Sequence, residues 1–86
     1  MSHLLQVEMS EDVALALQKD RQHLAQELRL AAAAKWYEMG LLTQAQAADA
    51  AGLSRSTFIA ELGRFGVSPF QESPEEALRT VRDLRR

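Results

Sequence analysis

The hydrophobic pattern changes period along the chain. Between residues 3 and 9, Leu5, Val7 and Met9 alternate with Gln6 and Glu8, the two-residue period of a half-buried strand, although Leu4 breaks its polar side. A strand on its own leaves backbone donors and acceptors unpaired, and a lone pair of strands is marginal in water. This one therefore needs a mate. Residues 66–70 are the internal candidate, weakened by Pro69; the same strand of a second copy is favoured, which predicts a homodimer through the N-terminal strand.

From residue 10 onward the period is helical. Ser10 caps a helix over 10–19, with Glu11 and Asp12 in the first turn, where acids suit the dipole, and with Val13, Leu17 and Ala14 as its buried stripe. A longer helix over 20–39 carries Leu24, Leu28, Ala31, Ala32 and Trp36 on one face. Its alanine run allows another helix to approach closely, and Gly40 stops it. Helices over 43–51 and 54–65 follow, joined by Gly52 and Leu53. The last helix starts at Ser73-Pro74-Glu75-Glu76, with a cap, a proline at the first helical position and a glutamate three residues after the cap. The reading is a mainly α-helical fold: a short N-terminal strand, then five helices. Residues 1–66 form the strand plus helical domain, and residues 67–86 form a linker and a C-terminal amphipathic helix.

Composition agrees. The 86 residues include 14 Ala and 13 Leu against 8 Val, Ile and Thr together, an excess of helix formers over β-branched residues. With no cysteine there is no disulfide, thiolate metal site or cysteine nucleophile. No apolar run approaches the ~20 residues that span a bilayer, and the N-terminus lacks the basic start and long apolar core of a signal peptide. The expectation is a cytoplasmic domain that gains stability from a partner, because a core this small is marginal.

The candidate chemistry lies between Thr43 and Phe65. A helix-turn-helix needs small residues where its helices cross, a glycine at the turn and apolar residues seating the second helix on the first. Ala47, Ala48 and Ala51 provide the crossing, Gly52 the turn and Leu53 the plug; Phe58, Ile59, Leu62 and Phe65 share the buried side of the second helix. Its other side offers Ser54, Arg55, Ser56, Thr57 and Arg64 as DNA-binding residues, the arginines for guanine edges or phosphates and the hydroxyls for phosphate oxygens. Charge opposes this. Across residues 43–66, Arg55 and Arg64 are balanced by Asp49 and Glu61, so one copy offers little phosphate attraction, and Glu61 sits on the reading side. A dimer would double the contact.

Residues 28–70 resemble the small prokaryotic proteins of uncharacterised protein family 0175. The resemblance runs through an Ala-rich helix ending in Trp36-Tyr37-Glu38 and Gly40, then Leu42-Thr43, Ala47-Ala48, Ala51-Gly52-Leu53-Ser54-Arg55, Phe58, Leu62 and Gly66-Val67. Glu75-Glu76 fits the family's tail, and the N-terminal strand and short helix fit its opening. Trp36 replaces a more usual aliphatic residue, a change read as one within the core. The resemblance implies an antitoxin, encoded beside a nuclease-like toxin of the PIN-domain type, that silences the toxin and binds its own promoter.

In the tail, Ala77, Leu78, Val81 and Leu84 form one stripe and Arg79, Arg82 and Arg86 the opposite one. PIN-type nucleases hold metal ions with clustered carboxylates, which guanidinium groups pair with bidentately. The partner-binding residues are accordingly Leu78, Val81 and Leu84 for docking and Arg79, Arg82 and Arg86 for the acidic site. A solvated basic face on a helix packed against its own domain is the plainer alternative.

No catalytic, cofactor or metal site is expected. His3 and His23 have no partner at ligand spacing, Glu38 and Asp49 are isolated acids, and Gly63 and Gly66 follow no strand that would make a phosphate loop. Two rivals to the antitoxin reading stand. A ribbon-helix-helix-like repressor would read DNA with His3, Gln6 and Glu8, a set without Lys or Arg. A protein-interaction module would use the helix-turn-helix only for packing.

Overall fold

A computed structural model describes residues 2–70. Among these are four α-helices, α1 (Glu11–Leu17), α2 (Arg21–Glu38), α3 (Gln44–Ala51) and α4 (Arg55–Leu62), followed by one 3-10 turn, Gly63–Phe65. Each α-helix opens on a residue whose side chain accepts a backbone N–H three residues on: Ser10 from Val13, Asp20 from His23, Thr43 from Gln46 and Ser54 from Thr57. Thr43 and Gln46 complete a reciprocal capping box. Asp20 also meets the His23 ring, 2.7 Å away; the His23 backbone N–H and then this ring contact hold its carboxyl below the usual range. Gly40 and Gly52, both at positive φ, end α2 and α3 as expected.

Several expectations are corrected. The described residues contain no strand and four α-helices rather than five. Residues 2–9 are irregular and exposed. Their internal mate is absent for a hydrogen-bonding reason. The Val67 N–H goes to the Leu62 carbonyl, the Pro69 carbonyl accepts from Tyr37 and Gln44, and the Phe70 N–H goes to Ser68 Oγ. Little of that backbone remains to pair with another segment, and Pro69 has no N–H to offer. The predicted helix over 54–65 stops at Leu62 and tightens into the 3-10 turn, and the predicted helix from Ser73 lies outside the described residues. α1 ends early because Gln18 adopts a left-handed conformation.

Burial supplies further corrections. α1 buries nothing; Leu15 is 65% exposed and Leu17 47%. On α2 the core stripe is Leu30, Ala33, Ala34 and Tyr37, about one residue around the helix from the predicted one. Trp36 is 46% exposed, not a core residue. Four consecutive alanines present the same side chain to neighbouring faces, so the large flanking residues misdirect the choice.

The core itself is alanine against alanine. Ala33 and Ala34 of α2 lie with Ala47, Ala48 and Ala51 of α3 in one buried cluster, closed by Tyr37, Phe58, Leu62 and Val67. Tyr37 and Phe58 meet edge to face at 6.0 Å. Among the described residues no helix is long and apolar enough to cross a membrane.

Two measurements check this architecture. Gly52 combines φ +72° with the Arg29 guanidinium 2.8 Å from where a Cβ would sit, whereas Gly63 is helical with nothing within 4 Å. Gly52→Ala should therefore destabilise the domain by about 1–2 kcal/mol or more, lowering Tm by several degrees, while Gly63→Ala raises stability by about 0.4–1 kcal/mol. Equal effects on thermal melting would contradict the assigned conformations. Trp36, the single tryptophan, should emit at the wavelength of a solvated indole and be quenched by acrylamide; a blue-shifted, shielded emission would place it in a core.

Candidate nucleic-acid interface

The helix-turn-helix is present as α3, a turn at Gly52 and Leu53, and α4. Its angle is held from outside the motif. Arg29 on α2 donates from Nε to the Ala50 carbonyl at 2.9 Å and from a terminal nitrogen to the Asp49 carbonyl at 3.4 Å. These carbonyls lie at the C-terminal end of α3, where open acceptors and the helix dipole favour a cation. The guanidinium rests over Gly52, so only a residue without a Cβ lets it reach both acceptors. Phe58 and Leu62, fully buried, seat α4 on the core.

The exposed side begins at the N-terminal turn of α4, where Ser54, Arg55, Ser56 and Thr57 all face solvent. The hydroxyls serve the helix start. Ser54 Oγ accepts the Thr57 N–H at 3.2 Å, shares a 2.8 Å hydrogen bond with Thr57 Oγ1 and lies 3.4 Å from Ser56 Oγ. Arg55 donates from Nε to Gln44 Oε1 across the motif. Its two terminal nitrogens carry the fork that suits a phosphate or the guanine O6/N7 edge.

Arg64 stands apart from this group, in the 3-10 turn after α4. It donates to Glu61 at 2.8 Å and, through one terminal nitrogen, to both carboxylate oxygens of Glu27 at 2.9 and 3.0 Å, and it lies over the Phe65 ring at 5.3 Å. Glu61 and then Glu27 hold its pKa above the ordinary arginine value. The motif's second arginine is thus committed to tying the end of α4 to α2, and it neutralises the acid predicted to repel DNA. A groove of about 340 Å³ between α2 and the turn brings Lys19, His23 and Arg29 beside the same ion-paired cluster.

The structure therefore brings Ser54, Arg55, Ser56 and Thr57 into one exposed patch and separates Arg64 from it. Leu78, Arg79, Val81, Arg82, Leu84 and Arg86 lie outside the described residues. Sequence reasoning missed Arg29, Glu27 and Gln44, all of which act across the chain. The only local hint was Gln44, at the start of α3 and facing the turn that carries Arg55. Among the described residues no three histidines, aspartates or glutamates group as a metal site.

No curated protein and no solved structure matches this chain. A family model does, over residues 1–86, its whole length. The alanine crossing, the Gly52 turn and the Ser54-Arg55 helix start are thus the architecture of a member of the uncharacterised protein family UPF0175, to which this chain belongs.

Proposed function

We propose that this protein is the antitoxin of a toxin–antitoxin pair, a binding protein that neutralises a PIN-type nuclease and contacts operator DNA through the N-terminal turn of α4. The observation that carries the DNA contact is the exposed patch Ser54, Arg55, Ser56 and Thr57 on a helix whose other side sinks Phe58 and Leu62 into the core. A helix N-terminus directs backbone N–H groups and a positive dipole outward, and the Arg55 fork stands on its first turn. Support for a protein partner is the apolar surface left uncovered: Leu4 and Leu5 are 92% and 79% exposed, and Val7, Leu15, Leu17 and Trp36 are also exposed. Covering several of these side chains with a partner would take their apolar area out of water. The resemblance to the antitoxin-like family supplies the class of partner. The tail docks by Leu78, Val81 and Leu84, and one of its arginines, Arg79, Arg82 or Arg86, reaches the nuclease carboxylates.

One observation favours the second reading, a protein-interaction module whose helix-turn-helix only packs. With Arg64 closed by Glu27 and Glu61, Arg55 is the single arginine of the motif open to a phosphate.

Fluorescence anisotropy separates the two. The protein is titrated against its own upstream DNA and a scrambled control at low and moderate salt. The outcome expected is selective binding that weakens with salt, falls roughly tenfold in Arg55→Ala and has a salt slope smaller by about 0.9 in that variant. Equal, weak binding to both sequences would leave the interaction module. In cells, growth arrest by a PIN-type nuclease encoded beside this gene should be relieved by the intact protein. Relief should be lost when Leu78 and Val81 are both changed to Asp, with DNA affinity unaltered. Undiminished relief by that double variant would remove the tail from the interface.

A further inference from the structure

Gln44 occupies a position that packing alone does not explain. It is the first residue of α3, half-buried, and its amide is used at both ends. Its Nε2 donates to the Pro69 carbonyl at 3.1 Å and lies 3.5 Å from the Tyr37 hydroxyl, while its Oε1 accepts from Arg55 Nε. The two outer neighbours fix the orientation of this amide. A proline carbonyl only accepts, so it must face the NH2 group; a guanidinium only donates, so it must face the oxygen. The Pro69 carbonyl is itself held by the Tyr37 hydroxyl at 2.8 Å, and Tyr37 is 1% exposed in the core. An unbroken series of hydrogen bonds thus runs from the core, through the turn where the described chain ends, to the exposed arginine.

We infer that Gln44 is a positioning residue for DNA recognition: it holds the Arg55 guanidinium by Nε and presents the two terminal nitrogens as a preset fork. This inference rests on the proposed DNA contact and deepens it. An unrestrained arginine on a helix surface loses rotamer freedom when it binds, and a side chain already held loses less. The geometry of the amide also explains why Gln suits this position and Glu does not: a carboxylate would hold Arg55 but would neutralise the charge that DNA needs, and it could not donate to Pro69.

The test has one readout without DNA and one with it. In the full-length protein, the Arg55 Nε–H resonance should be motionally restrained. Gln44→Leu and Gln44→Met should release it, and Gln44→Glu should keep it restrained. On operator DNA, Leu and Met at this position should weaken binding about three- to tenfold with the salt slope unchanged, since Arg55 keeps its charge. Gln44→Glu should lower both the affinity and the slope, the slope by about 0.9. An Arg55 resonance as mobile in the natural protein as in Gln44→Leu would overturn the inference, and so would Leu and Met variants that bind DNA as tightly as the natural protein. Absence of DNA binding by the natural protein would overturn the functional reading, while the resonance would still judge whether Gln44 holds Arg55.

Discussion

The rest of the structure depends on the close crossing of α2 and α3, made possible by alanines on both helices. Ala33 and Ala47 are fully buried, and Ala34 and Ala48 nearly so. Larger side chains there would move the helix axes apart, and well-packed cores accommodate added methylenes poorly. Only at this separation do the longer side chains of α2 reach past α3. Arg29 reaches the carbonyls at the end of α3, Glu27 reaches Arg64 beyond α4, and the Tyr37 hydroxyl reaches the Pro69 carbonyl. Three long-range ties therefore originate on one helix, and each fixes a different part of the helix-turn-helix: its turn, the end of its second helix and the segment that follows.

Those ties also decide the electrostatics of the exposed patch. A net charge of −2 gives the chain no general attraction for nucleic acid, so any recognition must come from local arrangement. The internal ion pairs distribute the motif's charges unequally. Arg64, Glu61 and Glu27 close on one another at the far end of α4, leaving the near end to Arg55 and the helix N-terminus. Within the motif the sequence balance of zero is unchanged, but its members are placed differently: Arg64 is paired with Glu61 and with Glu27 of α2, whereas Arg55 meets the neutral amide of Gln44 and no carboxylate among the described residues.

How much of this can be read from the residues follows from the range of the interactions. Ser10 as a cap, and Gly40 and Gly52 as stops, are decided within four residues of themselves, and all are found where their types predict. The helix-turn-helix is equally legible, because small residues, a glycine and an apolar stripe recur at fixed local spacing. The N-terminal strand fails because alternation specifies a strand only when a partner edge exists, and the backbone of 66–70 is already engaged with Leu62, Tyr37 and Gln44. The buried face of α2 fails because an alanine run carries no directional information. Trp36 then outweighs Tyr37 by size, although the hydroxyl of Tyr37 meets the half-buried Pro69 carbonyl and the indole has no such partner among the described residues. Gln44 and Arg29 act over 11 to 25 residues of sequence separation, beyond any local pattern.

The N-terminal region gives this logic its last step. A seven-residue helix is too short to be stable in water from its own hydrogen bonds, and α1 buries no residue that would add tertiary support. Its caps at Ser10 and Gln18 define where it begins and ends without stabilising it much in between. Leu15 and Leu17 are more exposed than not, or nearly so, and the residues before them expose Leu4, Leu5 and Val7. Fully burying one such side chain contributes about 1.5–3 kcal/mol. Any partner that covers several of them therefore stabilises α1 at the same time as it binds, since anything that binds only the ordered form shifts the equilibrium towards it. The helix-turn-helix needs no such help: its turn, its caps and its ion pairs are satisfied within the chain, whereas the segment ahead of it leaves its apolar side chains in water.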